Sequence, residues 1–183
     1  MKIIALLITI TGLTVTINAS IIPMKAWLSQ KLIDQAWNET IKTGINKKPW
    51  PWLDSTPIAK LSIPKHKWEN VVLSGVSGEV MAFAPGWHKE TTELGKKGVS
   101  LISAHKDTHF QILEKLKIGD KIILTTTNET INYKISDFII SDNASISIQK
   151  NTNKRILALS TCYPFSKLQQ SNKNRFVAIM EEI

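Results

Sequence analysis

The one cysteine of this 183-residue chain, Cys162, stands in LALSTCYPF (157–165), where an apolar run gives way to a Tyr-Pro turn. A strand ending there would present the thiol at its tip. His105 repeats the arrangement, following VSLISA (99–104) and preceding the polar turn KDT. Two strand ends that each deliver half of a Cys/His pair could meet at one rim of a sheet. Thiol chemistry needs such a partner, because the thiolate is the nucleophile and a departing amine must be protonated. With unperturbed pKa values of about 8.5 and 6.5, independent groups near pH 7.5 would both be charged in roughly 1% of molecules. Mutual pairing or a basic environment raises that fraction. Arg175 opens the run RFVAIM (175–180), and a fixed guanidinium can stabilise the oxyanion formed when a thiol attacks a carbonyl. Lys173 and Arg155 are the competing bases nearby. Each residue also has a plainer reading: a buried cysteine acting as a small hydrophobe, a hydrogen-bonded structural histidine, a solvated arginine.

A metal reading starts from His105 and His109, four apart in HKDTH as in many zinc hydrolases. Lys106 stands where the general-base glutamate of that helical motif belongs, and the strand-then-turn context is wrong. His66 and His88 show no ligand spacing. No metal site and no cofactor are expected.

A lone thiol makes no internal disulfide, and outside the membrane an unpaired cysteine is a liability unless it has a use. Compartment therefore matters. Residues 3–22 carry no charge, and at about 1.5 Å per residue they would span a hydrocarbon core of about 30 Å. An uncleaved anchor is the expectation. A signal peptide ending near Asn18-Ala19-Ser20 is the alternative, although no clean A-x-A site is present. Lys2 on one side faces Lys25 and Lys31 on the other, so charge gives weak guidance on orientation. The cysteine chemistry argues for an exported domain. The formal charge of +8 is spread without a dense Lys/Arg run, so nucleic acid is not the expected partner and an anionic membrane surface is.

The elements that must position these residues are mostly strands. Leu28, Leu32, Ile33, Ala36, Trp37 and Ile41 line one face of an amphipathic helix over 26–42, broken by Gly44, Pro49 and Pro51. The tryptophans of WPWLDSTP (50–57) should pack on the core at the entry to the main domain. β-rich runs follow at 58–63, 71–76, 80–83, 99–104, 121–127, 130–140, 155–161 and 175–180, punctuated by Gly, Pro, Asn and Asp. Asn128-Glu129 joins the fifth and sixth as a hairpin, and HFQILEKL (109–116) is a helical insert. Connections are too short for repeated crossover helices, which disfavours a parallel βαβ sheet. The expected architecture is all-β, a small closed eight-stranded barrel with short helices. Its expected organisation is an anchor or signal peptide over 1–23, a helical linker over 24–49 and a catalytic barrel over 50–183.

Six segments in order resemble a sortase: WPWLDSTPIAKL (50–61), VMAFAPGWH (80–88), AHKDTHFQIL (104–113), Gly119-Asp120, LSTCYPF (159–165) and NRFVAI (174–179). The likeness is to the compact Gram-negative type, class GN or marine proteobacterial. It covers most of 50–183. It implies His105 as catalytic histidine, Cys162 as nucleophile and Arg175 as essential arginine. Asp107, Thr108, Thr161 and Tyr163 fall at supporting or substrate-binding positions. Ala104 stands where the family usually has Gly, Lys106 where Arg is usual, and Ala158 replaces the first Thr of a TLxTC pattern; no reacting group is lost. The implied reaction is cleavage of an LPxTG-like C-terminal sorting signal through a thioacyl-enzyme, then transfer to an amine. The implied partner is an exported protein with VIT and von Willebrand A-type domains. The implied site of action is the periplasmic side of the inner membrane, on a single-pass anchor. Hydrolysis of the same thioester by a cysteine peptidase, and a non-catalytic membrane-tethered basic barrel, are the rival readings.

Overall fold

The computed structural model describes residues 2–142, 152–166 and 174–183. One helix, α1 (Lys2–Thr43), spans the expected anchor and most of the expected linker and runs through Pro23 without a break. Proline removes one donor, but no capping residue accompanies it, so the helix continues to the first real stop. That stop is Gly44, at φ +69, whose N–H reaches Thr40 O at 2.9 Å. Only the middle of the expected apolar stripe is used. Ile33, Ala36, Trp37 and Thr40 are buried, whereas Leu28 and Ile41 are exposed. Among the described residues no helix is long and apolar enough to cross a membrane. The side chains at 4–8, 17, 18 and 22, within the expected span, lie outside the described residues.

Eight strands follow: β1 (Pro57–Ile63), β2 (Trp68–Ser74), β3 (Gly86–Trp87), β4 (Gly98–Ser103), β5 (Lys121–Thr126), β6 (Thr130–Ser141), β7 (Arg155–Tyr163) and β8 (Asn174–Glu182). They close into a barrel in the order β1-β2-β3-β4-β7-β8-β6-β5. Alternation along each strand sends Ala59, Leu61, Ile63, Val72, Ile102, Ile122, Leu124, Leu157, Leu159, Ala178 and Met180 into one interior core. The β5–β6 hairpin forms as expected, from Lys121↔Lys134 to Thr125↔Thr130. A second core, with Ile33, Trp37, Trp50, Leu53, Val71, Leu73 and Val80, packs α1 on the outside of β2. Trp52 is 77% exposed and does not join it, contrary to expectation.

Two expectations about strands are corrected. The run at 80–83 belongs to a short helix, α2 (Gly78–Phe83). Ser77 caps it by accepting Val80 N–H at 3.2 Å, and a good N-cap outweighs the strand preference of two apolar residues. The eighth strand is instead the two-residue β3, which bridges β2 and β4. It fits because Gly86 lacks a Cβ, which would collide with Gly75 O. Gly86→Ala is accordingly expected to cost about 3 kcal/mol or more, read as a fall in denaturation midpoint. The insert at 109–116 contains a 3-10 helix, Gln111–Lys115.

The barrel is not wholly antiparallel. β4 runs parallel to β7, from Gly98↔Arg155 to Ser103↔Ser160, and β2 parallel to β3. No crossover helix is needed, because the chain between β4 and β7 is occupied by β5 and β6. Parallel pairing has one consequence for function. The C-terminal ends of β4 and β7 reach the same rim.

Candidate functional site

Period-two alternation decides which way the site residues face. On β7, Leu157 and Leu159 lie in the barrel core, so Ala158, Ser160 and Cys162 take the outer face. On β8, Ala178 and Met180 point inward, leaving Val177 and Arg175 outside. On β4, Ile102 and Ala104 belong to the core, which puts Leu101 and Ser103 outside and sends His105 the same way. Leu101, Ala158 and Val177 form a small apolar patch there. Just beyond it toward the rim come Cys162, Arg175 and His105.

Cys162 and Arg175 are direct cross-strand partners in the β7–β8 ladder. Opposed residues of an antiparallel pair hold their Cβ atoms about 4.5–5.5 Å apart. Arg175 is half-buried and donates from Nη1 to Asn174 O at 3.2 Å. Arg155, the competing base, lies at the far end of β7 in ion pairs of 3.1 Å with Glu129 and Glu182. Lys173 lies outside the described residues.

His105 reaches the site because pairing continues past β4. Ala104 N–H donates to Ser160 O at 3.3 Å, and Thr161 Oγ1 donates to Ala104 O at 2.7 Å. Continued two residues past Ser103↔Ser160, the same stagger would set His105 level with Cys162. His105 O then accepts the N–H of Phe110 at 3.1 Å and of Thr108 at 3.4 Å, closing a turn rather than a helix. His105 and His109 therefore do not share a helical face. His109 is engaged elsewhere, its Nδ1–H donating to Asn70 Oδ1 at 3.1 Å.

The supporting residues separate by position. Thr161 is buried, and its hydroxyl holds the two strand ends together. Tyr163 stacks on Phe176 at 6.4 Å and meets Phe165 edge-on at 6.1 Å. Phe165 in turn packs against Phe176 at 5.1 Å. These rings brace the turn that follows the cysteine. Thr108 and Asp107 are exposed on the histidine turn. The 3-10 helix beyond has no side-chain cap, so Asp107 does not serve that purpose.

Two features escaped the sequence reading. Lys106 donates from Nζ to Pro164 O at 2.8 Å and to Ser166 O at 3.0 Å, across the site. His88 Nε2 lies 2.8 Å from Ser103 Oγ, on the outer face two residues before His105. Neither carries a signal beyond its place beside a recognisable motif.

Burial holds the pKa of both His88 and His109 below the ordinary 6.5; His105 adds to the effect at His109, and Glu90 opposes it at His88. The unfolded chain then binds more protons than the folded one below pH 6.5, so stability rises with pH there. The contribution is complete above that value and is lost as pH falls toward the lower folded-state values. Melting temperature should hold near neutrality and decline below about pH 6.5, and His109→Gln should make the decline shallower. An unchanged slope in that variant contradicts the assignment.

A thiol, an imidazole and a guanidinium on one face are the groups that acyl transfer at a carbonyl requires. Comparison with known proteins bears on that set. A sortase domain family model matches residues 61–183. Sortase D of Bacillus subtilis (strain 168) is 29% identical over 119 residues, which are 64% of this chain and 60% of that protein. The chain thus spans about three fifths of that relative's length. A Clostridium perfringens Sortase D5 transpeptidase superposes with a TM-score of 0.68 at 19% identity, over 85% of this chain and 98% of the other. The pilus-related Sortase C of Group B Streptococcus gives 0.62 at 25% identity, over 69% of this chain and 67% of the other. The Clostridium perfringens likeness, at 19% identity, shows the fold alone; the domain match over more than half of the chain shows descent. The chain belongs to the sortase family.

Proposed function

We propose that this protein is a cysteine transpeptidase whose nucleophile is Cys162. The observation that carries the reading is the meeting of Cys162 with Arg175 in register, with His105 brought level by the parallel β4–β7 pair. The Cys162 thiolate attacks the carbonyl carbon of a Thr–Gly bond in an LPxTG-like signal, forming an S–C bond and an oxyanion. Arg175 stabilises that oxyanion. As the C–N bond breaks, the His105 imidazolium gives its proton to the departing amine, leaving a thioester on Cys162. An incoming amine then attacks the thioester, surrenders a proton to His105, and releases the thiolate with a new amide. Asp107 and Thr108, exposed on the turn that follows His105, line the substrate path in this reading.

The test is incubation with a quenched-fluorescent Leu-Pro-Glu-Thr-Gly peptide, with and without hydroxylamine or a glycyl amine. Amine-dependent acceleration with an amide product supports transfer. Release indifferent to amine points to a cysteine peptidase instead.

The class inferred from the six motifs is GN, and with it a partner bearing VIT and von Willebrand A-type domains and an LPxTG-like C-terminus. A class D reading is favoured by the names of two relatives, Sortase D and Sortase D5. Cleavage of the C-terminal peptide of such a partner from the same organism separates the two. No cleavage there, with turnover of generic LPxTG peptides, removes the GN class and its partner while leaving the activity.

The chain is further proposed to meet the inner membrane through its uncharged N-terminal stretch, with the barrel on the periplasmic side. Ile3, Ile10, Leu13, Val15 and Ile21 are exposed on α1, away from both cores, which is costly in water and favourable in lipid. Carbonate-resistant retention of the full chain in the membrane fraction is the expected result; release of all of it by carbonate contradicts an integral anchor.

A further inference from the structure

The ladder between β4 and β7 ends at Ser103↔Ser160, two residues short of the proposed His105–Cys162 pair. What ties the residues beyond that point to each other therefore lies outside the β4–β7 ladder. On the interior side, Ala104 N–H and Thr161 Oγ1 link the two residues that precede the pair to the opposite strand. On the far side the link is Lys106. This residue follows His105 directly, and its ammonium donates to Pro164 O and Ser166 O, two and four residues beyond Cys162. Phe165, between those carbonyls, is fixed by the rings of Tyr163 and Phe176. The acceptors thus sit on a braced segment, and the donor sits on the exposed turn that carries the histidine.

We propose that Lys106 is a positioning residue, which clasps the His105 turn to the segment leaving Cys162 and so sets the distance between imidazole and thiol. The chemistry suits the side chain. Two converging carbonyl oxygens require one group with at least two donors, and an ammonium offers three while presenting no acceptor. A guanidinium meets the same requirement; an apolar side chain of similar length does not. Reaction rates are sensitive to the setting this controls, since misplacement by about 1 Å can lower turnover about a hundredfold.

The proposal rests on the reading of Cys162 and His105 as the reacting pair, and two readouts keep the two claims separable. The first uses the full chain with the quenched Leu-Pro-Glu-Thr-Gly peptide. Lys106→Met should lower kcat about 10- to 100-fold with KM within about twofold, and Lys106→Arg should restore most of the rate. Melting temperature should change by only a few degrees in either. The second readout is the rate of Cys162 alkylation by iodoacetamide at pH 7, which needs no peptide turnover. It should slow about threefold or more in Lys106→Met and recover in Lys106→Arg, because a displaced imidazole is no longer placed to take the thiol proton as the sulfur attacks. Failure of the wild-type chain to turn over any peptide removes the parent reading and leaves the alkylation result to judge the clasp. Alkylation and kcat at wild-type levels in Lys106→Met overturn it. So does an equal loss in both variants, which would mark a structural role for this exact side chain. Should Lys106→Met not fold, Lys106→Arg decides: near-wild-type rates support the clasp, and a hundredfold loss at unchanged melting temperature overturns it.

Discussion

Replacing Cys162 with alanine is expected to lower turnover of an LPxTG-like peptide at least about a thousandfold, with the melting temperature moving by only a few degrees. Two facts make the effect large and clean. The chain has no second cysteine, so no other thiol can take over the attack. The side chain also lies outside all three apolar clusters, on the outer face near the rim, so truncation opens no core cavity. Steady-state kinetics beside a thermal melt separates loss of chemistry from loss of fold. Turnover retained in this variant would remove Cys162 as the nucleophile; a wild-type chain that turns over no peptide would favour the third reading, a basic barrel that binds without catalysis.

The second large effect is expected at Arg175. Lysine there keeps the charge, yet kcat should fall about a hundredfold while folding is preserved. A guanidinium is planar and carries five donors in a fixed fork, and one of them already holds Asn174 O. Another can then face the oxyanion without the group rotating away. An ammonium on a flexible stem shares neither property. The position is set by register, since Arg175 opposes Cys162 directly, and a shift of one residue would turn it into the barrel. Near-wild-type turnover by Arg175→Lys would remove the oxyanion role and leave stabilisation to backbone N–H groups.

Much of the site could be read from sequence because it is built on strand ends. Apolar runs that stop at a polar or Tyr-Pro turn announce where Cys162 and His105 emerge, and the runs at 99–104 and 155–161 lie within a residue or two of β4 and β7. What joins those strands was not legible. They pair in parallel at a separation of 57 residues, and nothing local encodes a partner so distant. The same holds for Lys106, whose acceptors are backbone carbonyls 58 and 60 residues away, groups every sequence contains. Other misses were local. VMAF looked like a strand, although Ser77 three residues ahead of Val80 is a helix-capping signal. Gly86 makes a two-residue strand possible, and so short a strand has no periodicity to detect. On α1 the apolar stripe was real, but burial is confined to the stretch from Ser29 to Thr40, so Leu28 and Ile41 stay exposed.

The measurement that bears most directly on the central claim is mass spectrometry of the protein after incubation with the sorting peptide in the absence of added amine. One adduct is expected, with the mass of the peptide through its threonine, carried on Cys162, removed by hydroxylamine and absent from Cys162→Ala. Peptide cleaved at Thr–Gly with the adduct on another residue, or with none formed under rapid quench, would contradict it.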